Sequence, residues 1–203
     1  MALIEASEKV PLSAIGPIPP AFGQPTERME HADHVELIRD GVVPGVWAEL
    51  GSGSGAFTLA LADLLGHDGH IVSVDRDRGA LRAQRETMDA RFPTASVDYV
   101  HGDFTRALDL SALEGIVMAN SLHFVRRKEL VLEFVYGYLK PGGRLVLVEY
   151  DADRGNFWVP HPLSFASWQR LAAATGFLGT RLLGYRPSRY LGAIYSALSF
   201  RPG

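Results

Sequence analysis

The chain has 203 residues, the usual size of one domain and long enough to bury a sizeable core. Hydrophobic residues make up 47% and charged residues 21%, which excludes a disordered chain, and a net charge of −3 excludes a generally basic nucleic-acid footprint. Cysteine is absent, which removes disulfides, thiolate metal sites and cysteine nucleophiles together.

Residues 1 to 25 carry five of the twelve prolines and read as an irregular arm, because proline lacks a backbone donor and fixes φ. A helix is expected from Pro25, with Met29, Ala32, Val35, Leu37 and Ile38 as its apolar stripe and Gly41 as its end. This arm and helix, 1–44, are expected to act as a lid over the main, ligand-binding domain, 45–203. An alternation then begins. "GVWAEL" is a strand, "GAFTLALADLLG" a helix capped by Gly66, and "HIVSVD" a strand. "RGALRAQRETMDARF" is a helix with Leu81, Met88 and Phe92 on one side. "ASVDYVHGD" and "EGIVMANS" are strands, and "RRKELVLEFVYGYLK" is a helix stopped by Pro141. The run "RRK", Arg126 to Lys128, is expected to be a solvated helix face. "GRLVLVEYD" is a strand and "PLSFASWQRLAAATG" a helix. The tail reads as two strands around "RPSR". Strands alternating with helices of this length predict an α/β fold, doubly wound, with a seven-stranded, mostly parallel sheet and one antiparallel C-terminal strand.

The stretch "ELGSGSGA" carries the chemistry. A strand feeding a helix through glycines is expected to leave amide N–H groups pointing at a ligand, with the helix N-terminus adding positive character. "GSGSGA" also fits the dinucleotide fingerprint, so a pyrophosphate competes as the ligand. Glu49 at the mouth of the turn argues against it: an anion repels pyrophosphate and favours an ammonium or sulfonium. Asp75, ending the second strand, suits a ribose with two free hydroxyls. Asp103, after the third strand, suits an exocyclic adenine amine, with Phe104 beside the ring.

Taken together, "ELGSGSG", "VDRD", "HGDF", "ANSLHF" and "LKPGGRLVLVEY" resemble the class I S-adenosylmethionine (SAM)-dependent methyltransferases in order and spacing, over about Trp47 to Asp151. The chain is most similar to the small-molecule type, including the ubiquinone/menaquinone-biosynthesis enzymes. The resemblance implies SAM as cofactor and a Rossmann-like fold. It implies that Glu49, Gly51, Ser52, Gly53 and Gly55 approach the methionine part. Asp75 would hold the ribose with Arg76 near the adenine, Gly102, Asp103 and Phe104 the adenine, and Asn120 and Ser121 the methionine and methyl.

His123 in "NSLHFV" is the candidate catalytic base, since its ordinary pKa suits proton transfer near neutrality; a packing histidine is the competing reading. Tyr150 and Asp151 are candidates for the acceptor pocket. His31, His34 and His161 are expected in solvated or loop positions, closing over the site being the alternative. Phe157, Trp158 and Trp168 are expected in the core, an apolar acceptor pocket being the alternative. No metal site is expected. The expected partner is a small-molecule methyl acceptor, in a cytoplasmic protein with no nucleic-acid or membrane partner, and with the tail hairpin offering an edge for a homodimer. An NAD-linked oxidoreductase and a non-catalytic SAM-binding regulator are the rival readings.

Overall fold

The computed structural model describes residues 29–188 and 190–203. The proline-rich arm, including Phe22 and Pro25, lies outside the described residues. Along the chain run α1 (His31–Arg39), β1 (Val46–Leu50), α2 (Ala56–Leu65), β2 (His70–Asp75), α3 (Arg78–Arg91), β3 (Ser96–His101) and β4 (Leu113–Ala119). Then come α4 (Glu129–Tyr138), β5 (Leu139–Tyr150), α5 (Phe165–Ala174), β6 (Leu178–Ser188) and β7 (Gly192–Phe200).

Local chemistry explains most boundaries. Asp77 caps α3 by accepting from the N–H groups of Gly79 and Ala80, and Ser164 caps α5 by accepting from Ser167. Gly66, at φ +61°, ends α2 in a conformation that side chains disfavour. The first helix begins at His31, because Glu30 and Asp33 form a reciprocal capping box there and residues 29 and 30 are not helical. Val35, Leu37 and Ile38 of its expected stripe are buried, whereas Ala32 is exposed. Strand β5 starts four residues before the expected "GRLVLVEYD": Leu139 already pairs with Leu113, and the register shifts before Gly115 meets Arg144. The tail turn falls after "RPS", since Arg186, Pro187 and Ser188 still pair across the hairpin.

The sheet has the strand order β3-β2-β1-β4-β5-β7-β6. β7 runs antiparallel to both of its neighbours, and the other pairings are parallel. Each face buries a layer of helices. On one face Trp47, Val117 and Val146 pack with α1, α2 and Met88 of α3. On the other, Leu50, Ile116 and Leu145 pack with α4, α5 and Phe177. Helix α1 is therefore continuous with the core, and Arg186 of β6 pairs with its Asp33 and Glu36. Glycine at position 115 is set by Trp47, whose indole occupies the space a Cβ would take. The strand order reverses between β1 and β4, and open α/β sheets form their ligand crevice at the carboxyl ends of the strands at such a point.

Candidate functional site

The turn after β1 is built from three left-handed glycines: φ is +80° at Gly51, +51° at Gly53 and +86° at Gly55. These glycines are conformational requirements, and two are also steric ones. A Cβ on Gly51 would lie 2.6 Å from Ser121 Cβ, and one on Gly55 would lie 2.6 Å from Gln84 Cδ. The amides behave differently from the sequence expectation. Gly51 and Ser52 donate to Val74 O at 2.9 and 3.0 Å, and Gly55 donates to Ser52 O at 2.8 Å. Gly53 donates to Asp75 Oδ2 at 2.7 Å. Four turn amides are thus already bonded within the protein, and the open nest that a pyrophosphate needs is not formed by them.

Beside this turn lies a cleft of about 430 Å³, within the range of small-molecule and cofactor sites. Nine of the twelve expected cofactor residues line it. Gly51 and Gly53 come from the turn after β1, Asp75 and Arg76 from the end of β2, Gly102, Asp103 and Phe104 from the segment after β3, and Asn120 and Ser121 from the segment after β4. Asp77, Ala80, Thr105, Phe124 and Val125 complete the wall; sequence reasoning did not select them. The other three expected residues, Glu49, Ser52 and Gly55, lie behind the turn.

Glu49 is 2% exposed and accepts from Thr58 Oγ1. Gln84 Nε2 donates to Thr58 Oγ1, and Ser73 Oγ stands 3.0 Å from Gln84 Oε1 and 2.8 Å from Ser52 Oγ. This buried polar group fastens α2 and α3 beneath the glycines. Burial pushes the Glu49 carboxyl up to about 8, against the hydrogen bond from Thr58 and with help from the Asp75 charge. Glu49 is therefore neutral near pH 7 and away from the mouth, which corrects the expectation of an anion there. Gln84 was missed, although a polar residue three after Leu81 and four before Met88 falls on the buried stripe.

The cleft offers acceptors. Each Asp75 oxygen holds one backbone N–H, from Gly53 and from Asp77 at 2.8 Å, so each keeps a lone pair for a further donor. Asp103 Oδ1 accepts from the N–H and Oγ–H of Thr105, at 2.9 and 2.7 Å, and these bonds hold its carboxyl below the usual range. Its Oδ2 has no hydrogen-bond partner among the described residues. Asn120 takes a left-handed conformation, φ +50°, and its buried Oδ1 has no hydrogen-bond partner among the described residues. A buried acceptor left unpaired costs free energy, so this atom is suited to a ligand's donor. Ser121 Oγ donates to Leu50 O at 2.8 Å and ties β4 to β1. A ligand bringing an ammonium, two ribose hydroxyls and an amine fits this acceptor-rich wall, and SAM brings all of them.

His123 is 3% exposed and does not line the cleft. Its Nδ1 stands 3.0 Å from Glu149 Oε2, and its backbone N–H donates to Glu149 Oε1 at 3.0 Å. Its ring lies between those of Phe124, at 4.2 Å, and Tyr150, at 5.5 Å. Tyr150 and Asp151 also stand back from the cleft; Asp151 Oδ1 accepts from the Phe165 N–H. Of "RRK", Arg126 and Arg127 are exposed as expected, but the run precedes α4, and Lys128 is 7% exposed with its Nζ donating to Val125 O and His161 O at 2.8 and 2.9 Å. His161 in turn donates its backbone N–H to His123 O at 3.0 Å. His31 pairs with Asp63 and His34 packs on Phe57, both at the α1–α2 contact rather than at the cleft. Of the three aromatics expected in the core, Trp168 is fully buried, whereas Phe157 and Trp158 are 89% and 68% exposed. No helix among the described residues is long and apolar enough to cross a membrane.

Residues 48–145 match a family described as a methyltransferase domain. The chain is 33% identical over 113 residues to an arsenite methyltransferase of Aquipseudomonas alcaligenes, a match covering 52% of this chain and 33% of that protein. It is 30% identical over 125 residues to a ubiquinone/menaquinone biosynthesis C-methyltransferase of Hydrogenovibrio crunogenus, covering 60% and 47%. The matches thus span less than half the length of these two relatives. Among solved structures, the YcgJ protein of Bacillus subtilis superposes with a TM-score of 0.70 at 11% identity, over 85% of this chain and 100% of that one. The last comparison bears on the fold alone.

Proposed function

We propose that the chain is a SAM-dependent methyltransferase that moves the methyl group of SAM to a small organic acceptor; the match of residues 48–145 to a methyltransferase-domain family and the two relatives support this reading. The observation that carries the proposal is the acceptor-lined cleft beside a turn whose amides are already used. Asp75 binds the ribose hydroxyls, Asp103 the adenine amine beside Phe104, and Asn120 Oδ1 the ammonium of the methionine part. Bound there, SAM supplies a methyl already activated by its sulfonium. The protein's task is to orient an acceptor in line with the methyl–sulfur bond and to exclude water.

Calorimetric titration tests this reading against the NAD-linked one. SAM and S-adenosylhomocysteine are expected to bind, and NAD and NADP to give no heat. Binding of NAD alone would overturn the assignment.

His123 is the base in this proposal. With Nδ1 held by Glu149, Nε2 is left as the basic nitrogen. His123 is buried, and its ring packs on Phe124, which lines the cleft. His123→Ala is expected to lower turnover of a hydroxyl acceptor by about 100-fold, the usual scale of general-base catalysis, while S-adenosylhomocysteine affinity stays within twofold. Full turnover in that variant would leave His123 a packing residue.

A further inference from the structure

We propose that the groove between α3 and the edge strand β3 is a second binding site, which takes a small organic phosphate monoester. The groove has a volume of about 300 Å³ and is lined by Arg78, Leu81, Arg82, Arg85, Tyr99 and His101. It shares no lining residue with the cofactor cleft, although the two abut: Arg78 follows Asp77, and His101 precedes Gly102. β3 is an outer strand, so the groove lies at the sheet edge opposite β6.

Three arginines stand on one stripe of α3, since positions 78, 82 and 85 are four and then three residues apart. All three are exposed, and none forms an ion pair or a side-chain hydrogen bond among the described residues. Their placement works against the helix. Arg78 opens α3, where the helix dipole favours anions, and the preceding carboxylate, Asp77, is taken up with the amides of Gly79 and Ala80. Like charges one turn apart also repel. Of the other acidic residues of α3 and β3, Asp98 is bonded to His70 at 3.1 Å, and Glu86 and Asp89 do not line the groove. The groove thus gathers three positive charges and no carboxylate, on a chain whose net charge is −3.

The floor suits carbon. Leu81 is buried, and the Tyr99 ring is half-buried with the Arg85 guanidinium 5.4 Å from its centroid. The Tyr99 hydroxyl is buried and has no hydrogen-bond partner among the described residues, which leaves a donor unused. His101 Nε2 stands 3.1 Å from Arg76 O; a carbonyl only accepts, so Nε2 carries the hydrogen. Guanidinium forks pair with phosphate oxygens two at a time, and three of them outweigh the single charge of a carboxylate or sulfate. A phosphate monoester brings about two negative charges and three acceptor oxygens, and its organic group can lie on Leu81 and Tyr99.

Calorimetric titration of the full chain at about pH 8 tests the site, with phenyl phosphate as probe beside phenyl sulfate, which has the same shape and one charge fewer. Phenyl phosphate is expected to bind once per chain, about tenfold more tightly than phenyl sulfate. Arg82→Gln and Arg85→Gln are each expected to weaken it about tenfold, the scale of one hydrogen bond to a charged group. Glutamine is also a good helix former, and circular dichroism verifies that both variants are folded. Arg181→Gln, at an exposed position on β6 at the opposite sheet edge, is expected to leave the affinity within about twofold, since distant charges are screened. Excess S-adenosylhomocysteine is expected not to displace the probe. Equal affinity for the two probes, or undiminished binding in both groove variants, would overturn the proposal. Displacement by S-adenosylhomocysteine would overturn it by placing the probe in the cofactor cleft. Oligothymidylate binding more tightly than phenyl phosphate, and lost in the same variants, would overturn it by giving the arginine row to a nucleic-acid backbone.

Discussion

Alanine at position 75 is expected to weaken S-adenosylhomocysteine binding by about 100-fold or more, since bonds to a charged group contribute about 1.5–3 kcal/mol each and 1.4 kcal/mol is a factor of ten. Two losses combine. The ribose hydroxyls lose a carboxylate acceptor, and the amides of Gly53 and Asp77 lose the oxygens that hold the turn in shape. Asp75→Asn restores one acceptor oxygen and part of the turn geometry, so its loss should be smaller, about tenfold on the same scale. Calorimetry on all three proteins, with circular dichroism to show that each is folded, decides the matter. Alanine and wild type binding alike would remove Asp75 from the cofactor site and with it the acceptor-based reading of the cleft.

The second large effect concerns stability. Glu49 ionises near 8 when folded and near 4.5 otherwise. Its folded pKa is raised, so the folded chain keeps a proton that the unfolded chain gives up between those values. Folding is then penalised as pH rises from 4.5, by about 1.4 kcal/mol per pH unit, and the penalty levels off above 8. Glu49→Gln cannot ionise and retains a carbonyl acceptor for Thr58. The variant is expected to gain on the wild type by about 3.5 kcal/mol between pH 5 and pH 8, the slope flattening near each pKa. Urea unfolding at the two pH values reads the difference directly. Parallel stability curves for variant and wild type would show that Glu49 is ionised in the folded chain after all.

Sequence periodicity located the βα units because each one states its own boundaries. "HIVSVD" is β2 residue for residue, and the run after Asp77 is a helix because Asp77 caps it. Where boundaries moved, a distant partner moved them. Leu139 joined β5 because Leu113 was there to pair with it, and the hairpin kept pairing through Ser188 because Gly192 faces it. In the site, residues at strand ends were legible because parallel strands deliver their carboxyl ends to one edge, which gathered Asp75, Asp103 and Asn120. Side-chain direction was not legible. Glu49 turns under the glycines because Thr58 and Gln84, from two different helices, form its polar pocket. Lys128 is buried because two carbonyls, one of them 33 residues away, accept from its ammonium. Phe157 and Trp158 are exposed although aromatic residues are ordinarily buried, and the turn that carries them is closed by Asn156 Oδ1.

The reversed strand β7 has a consequence for how the molecule is made. It completes β5, yet it lies at residues 192–200, after α5 and β6. A chain emerging from the ribosome therefore presents β5 as an open apolar edge until α5, β6 and β7 have followed it. Contacts of such long sequence separation slow folding, and an unpaired central strand is a template for intermolecular pairing meanwhile. Arg186 adds a further long-range contact: it joins β6 to α1 across 150 residues. The same topology that places the ligand crevice early in the chain thus leaves closure of the sheet to its final strand.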